Sequence, residues 1–188
     1  MKSISTEIKQ MDEDYYSKLD GIFKNVNEWL KFAEQKNAAL LLLNGGMIWG
    51  ITRVLGYVDL IPKISYWFNI IGYTLIAVST LICIISFLPI LQQRWFKPEK
   101  TCPSDNCLYF AHSAKYDARD YLTLLAKKLG YEKEKTTFTD FEIDLSKQIV
   151  TNSEIAFDKY KRFKLAAIFT ILAVVIFLLS IGIINFME

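Results

Sequence analysis

The residues in this sequence that are best suited to chemistry are Cys102, Cys107 and His112, which follow one another at C-x4-C-x4-H spacing. Zn²⁺ is bound by thiolates and imidazoles, but a closed zinc site has four ligands, and the fourth would have to be an aspartate. We therefore favour two free thiols and a histidine that faces the surface or a ligand. We predict no metal site.

Catalytic groups are scarce in the rest of the chain. It has one histidine in 188 residues, and it contains no Gly-x-Gly-x-x-Gly, Gly-x-Ser-x-Gly or Walker-type sequence, the patterns that position phosphates or a nucleophile. Asp117 and Asp120 suit a helix N-terminus, where negative charge complements the helix dipole. We predict that the protein is not an enzyme and that it has no catalytic residue and no cofactor.

A second group of polar and small residues lies inside an apolar run. The stretch AEQKNAALLLLNGGMIWGITR contains Asn44 together with Gly45, Gly46 and Gly50. An amide is too costly to face lipid, so Asn44 should face another helix or a wet cavity, while the glycines let a neighbouring backbone come close. Interhelical adhesion is the first reading. A pore-lining amide is the alternative, and it requires several copies around an axis.

The chain has three long apolar runs, and Asn44 and its neighbouring glycines lie in the first. The chain is 52% hydrophobic and 22% charged, so the two classes must be segregated along it. Residues 38–61, 66–91 and 165–186 are each about 20 residues or longer, enough to cross a hydrocarbon core of about 30 Å. Arg53 interrupts the first run and is expected to snorkel, with residues 54–61 completing the crossing. The sequence predicts an all-α membrane protein with three transmembrane helices.

The lysines and arginines predict the orientation. Six precede the first run, two lie at its end or in the next loop, fourteen lie between the second and third runs, and none follows the third. By the positive-inside tendency, the N-terminus and the segment from Arg94 to Lys164 are cytoplasmic, with Glu188 outside. Because topology accounts for the positive residues, they give no reason to expect a nucleic-acid partner.

We expect four segments in this order. Residues 1–36 form a cytoplasmic amphipathic helix, 37–93 a transmembrane hairpin, 94–164 a helical cytoplasmic sensor domain, and 165–188 the third transmembrane helix. In the first segment apolar residues recur every seven positions in two series: Ile8, Tyr15, Ile22 and Trp29, and Leu19, Val26 and Ala33. Such a seam favours packing against the chain's own cytoplasmic domain, with self-association as the alternative.

The sensor segment carries signals for two helices. Residues 117–129 place apolar side chains on one stripe, and Gly130 stops that helix. In TTFTDFE, Thr139 and Glu142 form a capping box at the start of the next one. Neither glycine nor proline follows before Gly182, so this helix is expected to run unbroken into the third span. At about 65 to 70 Å, it would connect cytoplasmic events mechanically to the membrane.

Three stretches resemble the transmembrane effectors of the Pycsar antiphage system. EQKNAALLLLNG, residues 34–45, is similar to the family's entry into its first span, NCLYFAHSA, residues 106–114, to its Asn-x-Leu-x-Phe-Gly-x-x-Ala motif, and QIVTNSEIAFDKYKRF, residues 148–163, to its stretch before the last span. They occur in the family's order. Asn37 replaces a typical alanine, and Ala111 replaces a typical glycine, where its methyl group narrows a backbone approach.

The resemblance implies that one chain both binds the signal molecule and kills the infected cell. In such systems a partner cyclase responds to phage by making cyclic CMP or cyclic UMP, and the effector then damages the inner membrane so that the infected cell dies. It implies a multi-pass protein of the bacterial inner membrane that contacts lipid. We also expect a homo-oligomer.

A cyclic pyrimidine mononucleotide would need matching groups on the protein. Its phosphate suits a cation, its ribose hydroxyl and base edge an amide or carboxylate, and its flat face an aromatic ring. By chemistry and position, the candidate ligand residues are Asn106, Tyr109, Phe110, His112, Arg119, Lys147, Asn152 and Lys159. For Tyr109 and Phe110 the alternative is ordinary core, and for Lys159 it is a positive anchor at the membrane.

A non-gated membrane adaptor is the alternative function. Such a protein would hold a cytoplasmic partner through the N-terminal seam and the aromatic patch. Polar substitution of Ile22 and Trp29 would then abolish partner binding, and nucleotides would do nothing.

Overall fold

The computed structural model describes residues 2–58, 61–88, 100–130 and 138–187, with side chains described from residue 14 to residue 186. Its helices are α1 (Lys2–Leu55), α2 (Lys63–Phe87), α3 (Phe110–Ser113), α4 (Ala118–Leu129) and α5 (Asp140–Met187). Over the described ranges the chain forms helices and no strand, so the prediction of an all-α protein is confirmed.

Three of the helices are long and apolar enough to cross a membrane, as predicted. They are α1 over Asp14–Leu55, α2 over Lys63–Phe87 and α5 over Asp140–Phe186, with mean hydropathies of 1.5, 2.3 and 3.0 in their most apolar windows. The first helix has the lowest value because Arg53 and Asn44 stand in its apolar run.

The ends of the first two spans differ from the expected limits. α1 ends at Leu55 and not near residue 61, and α2 ends at Phe87 and not near residue 91. Leu88 is extended, with φ −64° and ψ 138°, because it precedes Pro89, whose ring disfavours the helical conformation in the residue before it. The predicted second span was too long because the apolar run continues across Pro89, whereas the helix ends before it.

Some expected features lie outside the described residues. They are the cations Arg94 and Lys97 that follow the second span, the seam residue Ile8 as a side chain, and Glu188 as the outer terminus.

The predicted helix-terminus signals of the sensor segment are confirmed. Gly130 has φ 79° and caps α4 in the left-handed conformation. At the start of α5, the backbone N–H of Thr139 donates to Glu142 Oε2 at 2.8 Å, and the N–H of Glu142 donates to Thr139 Oγ1 at 3.2 Å. This is the reciprocal capping box. α5 then runs without a break for 48 residues, about 72 Å at 1.5 Å per residue.

The chain forms two compact units. Unit 1 comprises Met1–Phe32 and Gln92–Asp158. Its core joins one face of α1 to α4 and α5: Tyr15, Leu19, Ile22 and Val26 pack with Tyr121, Leu122, Leu125, Ile149 and Val150. The α1 residues follow the four- and three-residue spacing of the predicted seam. This face of α1 therefore packs on the chain's own helices.

Unit 2 comprises Ala33–Leu91 and Lys159–Glu188. α2 buries one residue every three or four positions: Ser65, Asn69, Gly72, Ile76, Ser79, Cys83 and Ser86. Small and polar residues dominate this stripe because, in lipid, helices associate through close backbone approach and interhelical hydrogen bonds. Two apolar clusters complete the interior, one around Leu40, Cys83 and Ala166 and one around Ile76, Ala173 and Phe177.

Candidate functional site

Four aromatic side chains of unit 1 form a contiguous cluster, here called the aromatic corner. Phe110, the first residue of α3, lies with its ring centroid 5.6 Å from that of Trp29 in α1. Tyr109 packs edge-on against Phe110 at 4.9 Å and against His112 at 5.2 Å. Edge-to-face arrangements at these separations are the favoured geometry for aromatic pairs.

The aromatic corner has a buried anchor and accessible rings around it. Phe110 is buried, whereas the exposed fractions are 43% for Tyr109 and 36% for Trp29, and His112 is about one-third exposed at its side chain. Exposed ring faces held by a buried neighbour are suited to stacking against a planar base.

A turn before α3 fixes the orientation of the histidine. The side-chain oxygen of Asn106 accepts from the N–H of Leu108 at 2.9 Å, and the N–H of Asn106 donates to His112 Nδ1 at 2.9 Å. Because Nδ1 accepts a hydrogen bond, a neutral imidazole carries its proton on Nε2. His112 can therefore offer Nε2–H as a donor to a ligand.

The loop that carries this turn is organised around a buried carboxylate. Asp105 accepts from the N–H of Cys102 at 2.8 Å, from Lys115 Nζ at 2.9 Å and from the hydroxyl of Tyr116 at 3.0 Å. Lys128 Nζ also donates to the backbone oxygen of Asp105. These bonds join the loop to the residues that follow α3 and to the end of α4.

The same contacts shift two pKa values. Burial disfavours the charge of Asp105, but the hydrogen bonds from Cys102, Lys115 and Tyr116 outweigh it and hold the pKa of the carboxyl below its ordinary value. Burial, together with the nearby Asp105 carboxylate, raises the pKa of Tyr116 to about 12. Asp105 is therefore ionised and Tyr116 is a neutral donor at physiological pH.

Three other predicted ligand residues of unit 1 lie outside the aromatic corner, and two of them make side-chain contacts elsewhere. Asn152 in α5 donates from Nδ2 to Asn27 Oδ1 in α1 at 2.7 Å. Lys147 is exposed and pairs with Asp144 at 2.8 Å, and Arg119 lies exposed on α4. The structure thus joins Tyr109, Phe110 and His112 with the turn at Asn106.

Lys159, the remaining predicted ligand residue, belongs to unit 2. It is buried, and its Nζ donates to the backbone oxygen of Ser86 at 3.0 Å and pairs with Glu34 at 3.1 Å. Arg162 donates to the oxygen of Ile85 at 3.2 Å. Both cations therefore satisfy carbonyl groups at the C-terminal end of α2, where the helix dipole favours positive charge.

Asn44 is the centre of a hydrogen-bond network between the three spans. Its Nδ2 donates to Ser79 Oγ at 2.9 Å and to Thr80 Oγ1 at 3.4 Å, and its Oδ1 accepts from Thr170 Oγ1 at 2.9 Å. The hydroxyls of Ser79 and Thr170 are 2.8 Å apart. This Asn44 network joins α1, α2 and α5.

The three glycines beside Asn44 face away from the rest of unit 2. A Cβ atom built at Gly45, Gly46 or Gly50 would meet no atom within 4 Å apart from the chain neighbours and the backbone of the helix itself. Within the described residues no other helix of the chain approaches them. Their expected role in close backbone packing stays a prediction.

Comparison with protein-family models matches residues 18–185 to the Pycsar effector protein domain. The match includes the aromatic corner, the Asn44 network, the whole of α2, α3 and α4, and most of α1 and α5. The chain belongs to the Pycsar effector family. It is therefore an antiphage defence effector with membrane-spanning helices, and the resemblance read from the sequence is confirmed. No curated protein and no solved structure gave a match.

The three sequence motifs that resemble the family contain many of the residues described above. The first, residues 34–45, includes Asn44. The second, residues 106–114, includes the turn at Asn106 and most of the aromatic corner, and the third, residues 148–163, includes Asn152 and Lys159. The motifs therefore lie in both units. Membership of the family suggests a cyclic-nucleotide signal made by a cyclase.

Sequence reasoning missed Trp29 as a member of the aromatic corner and missed the cluster around Asp105. Trp29 occupies a seam position, and only the exposed fraction of its ring distinguishes it from its buried neighbours. Asp105 pairs with Lys115 across ten residues and with Lys128 at the end of α4, and no periodic pattern connects these positions.

The C-x4-C-x4-H residues have separate surroundings. Cys107 is buried in the core of unit 1, Cys102 is exposed with its Sγ 3.0 Å from the hydroxyl of Ser104, and His112 Nδ1 accepts from Asn106. Among the residues that the structure describes, no group of three or more His, Cys, Asp or Glu is placed to hold a metal ion.

Proposed function

We propose that this Pycsar effector senses a cyclic pyrimidine mononucleotide, cyclic CMP or cyclic UMP, made by a partner cyclase, and then disrupts the inner membrane to cause abortive infection. The family match over residues 18–185 carries the proposal. In this proposal the protein acts by binding and movement, with no catalytic residue and no cofactor.

The aromatic corner is the proposed ligand site. Tyr109 and Trp29 offer faces for the pyrimidine, and His112 offers a donor from Nε2 to the phosphate or to the polar edge of the base. Phe110 and the turn at Asn106 hold these groups in place. Arg119, Lys147, Asn152 and Lys159 remain predicted ligand residues.

The two long helices support transmission of the signal. α1 carries Trp29 of the aromatic corner and, fifteen residues later, Asn44 of the network between the spans. α5 likewise carries Asn152 and Thr170. A ligand shifts this protein only if it binds one arrangement of the helices better than the other. We propose that the nucleotide favours the arrangement in which the membrane is permeable.

The proposed orientation places the N-terminus and unit 1 in the cytoplasm. The excess of lysine and arginine between the second and third spans supports it, and so do Lys159 and Arg162, which lie at the C-terminal end of α2. Cations at helix ends near the cytoplasmic face are typical of inner-membrane proteins.

A thermal-shift panel tests the sensing step. The full-length protein in detergent is heated with cyclic CMP, cyclic UMP, cyclic AMP or cyclic GMP at equal concentration. We expect a pyrimidine nucleotide to raise Tm through preferential binding to the folded state, and Tyr109→Ala to remove that increase. A shift that is equal for the purine nucleotides, or no shift at all, would contradict the proposal.

Tyr16 supplies the matched control. Its exposed fraction is 42%, against 43% for Tyr109, and it lies 5.8 Å from the exposed ring of Phe141 in the same unit. Tyr16→Ala therefore removes an equivalent aromatic pair outside the aromatic corner. The nucleotide-induced shift in Tm should persist in this variant.

The adaptor alternative now needs a different test. Ile22 lies in the core of unit 1, so a polar substitution there would damage folding as well as any partner surface. Trp29 is exposed and remains the informative position. Under the proposed function, Trp29→Ala weakens the response to the nucleotide.

A further inference from the structure

We propose that the interior of unit 2 is a polar path for water and small cations, and that the ring of Phe177 packed on Gly72 is its seal. The inference rests on the proposed function, because it names the route by which the membrane would lose its potential. It concerns α2 and α5 inside unit 2 and requires no knowledge of the ligand.

Asn69 is the observation that points to water. It is 6% exposed, and neither Nδ2 nor Oδ1 of its amide has a hydrogen-bond partner among the described residues. A buried amide without partners is costly, and most of all inside a hydrocarbon core. Water that reaches Asn69 along the helix interface removes that cost.

Polar side chains line the buried stripe on both sides of one apolar layer. One turn before Asn69, Ser65 and Ser180 donate to each other's backbone oxygens at 3.0 and 3.3 Å. About three turns beyond it on α2 lies Ser79 of the Asn44 network. Between Asn69 and that network, the interior is closed by Ile76, Ala173 and Phe177.

The packing of Phe177 on Gly72 has the geometry of a seal. Phe177 is the largest fully buried side chain of unit 2, and a Cβ atom at residue 72 would lie 2.7 Å from its ring. The ring therefore fills the space that the glycine leaves, and Tyr73 packs edge-on against it at 5.1 Å. An apolar constriction between polar regions blocks ions by excluding water.

Adhesion between helices explains Ser65, Ser180 and the Asn44 network but not Asn69, whose whole amide lacks a partner among the described residues. Ser65, Ser180 and the Asn44 network all have partners on neighbouring helices, as adhesion requires. Asn69 contributes no such bond within the described chain. A gated path needs polar residues that hydrogen-bond to water and an apolar constriction that excludes water when the path is closed. Asn69 and the ring of Phe177 supply these two features.

Flux measurements on proteoliposomes without any nucleotide test this inference. The full-length wild-type protein should be tight, whereas Phe177→Ala should raise the basal potassium leak several-fold. Phe186 is the matched control, because it lies on the same helix but is 93% exposed. Phe186→Ala should leave the leak at the wild-type level.

A second substitution separates a path from a packing defect. Asn69→Leu in the Phe177→Ala background removes the amide that water is proposed to reach, while the ring of Phe177 is still absent. The potassium leak should then fall back toward the wild-type level. If Phe177→Ala is not recovered from the membrane, Gly72→Ala replaces it, since its methyl group must displace the ring.

Two results would overturn the path. One is a membrane that stays tight when the seal is removed, and the other is a leak that Asn69→Leu does not reduce. If the seal variants leak but the wild-type protein never depolarises cells that contain an active pyrimidine cyclase, the proposed function fails and the path does not.

Discussion

Asp105 stabilises unit 1 and Asn44 stabilises unit 2, and the two residues do so by different means. Asp105 keeps its charge through three donors and closes the loop before the aromatic corner. Asn44 is neutral and uses both ends of its amide to join three spans. The sequence predicted that Asn44 faces another helix or a wet cavity, because an amide is too costly to face lipid, but it contained no comparable signal for Asp105.

Asp105→Asn should destabilise unit 1 in a pH-dependent way. The folded-state pKa of Asp105 lies below its ordinary value, so its contribution is present above the unfolded-state pKa and is lost as the pH falls through the folded-state pKa. We expect a loss of about 1–3 kcal/mol near neutral pH that disappears in acid. Denaturation at a series of pH values measures it.

The control for that experiment is Asp144→Asn. Asp144 pairs with Lys147 on an exposed helix face, where an ion pair contributes only about 0–1 kcal/mol. Equal losses in the two variants, or a loss in Asp105→Asn that persists in acid, would contradict the role given to the Asp105 carboxylate.

Asn44→Leu should loosen the three spans by about 1–2 kcal/mol, because it removes the amide that joins them. Thermal unfolding in detergent, followed by helix content, measures this change. Thr74→Val is the control, since Thr74 is exposed and donates only to the oxygen of Ile70 in its own helix. A similar destabilisation in both variants would show that the Asn44 network has no special role.

Among the elements, the long helices and α4 followed from the sequence, whereas the four-residue α3 did not. α5 was predictable because a capping box starts it and no glycine or proline follows for some forty residues. The helical end at Phe87 was misplaced because hydropathy does not register the backbone restriction on Leu88, which precedes Pro89. The end at Leu55 was misplaced because the apolar run continues past Gly56, where the helix has already ended. The four-residue α3 carries no periodic signal at all.

A break in α5 should separate sensing from membrane damage. Lys164 is exposed, and Lys164→Pro removes a helical hydrogen bond and clashes with the preceding turn. We expect the nucleotide-induced shift in Tm to persist while depolarisation is lost. Lys164→Ala keeps the helix and should behave like wild type. If both functions survive the proline, α5 does not transmit the signal.

At the scale of the whole molecule, the family match unites a helical unit 1 with three membrane-crossing helices in one antiphage effector. The apolar runs were sufficient to predict the number of spans, and the motifs were sufficient to predict the family. They were not sufficient to assemble a ligand site, because the aromatic corner adds Trp29 from α1 to residues about eighty positions later in the chain.

In the proposed function, a cyclic pyrimidine nucleotide bound by unit 1 makes the membrane permeable. The most direct measurement is potassium efflux from liposomes that contain the purified full-length protein, before and after addition of cyclic CMP or cyclic UMP. We predict efflux with one or both of them, none with cyclic AMP or cyclic GMP, and none in Tyr109→Ala. Liposomes that remain tight with every pyrimidine nucleotide, or that open equally with purine nucleotides, would contradict the account.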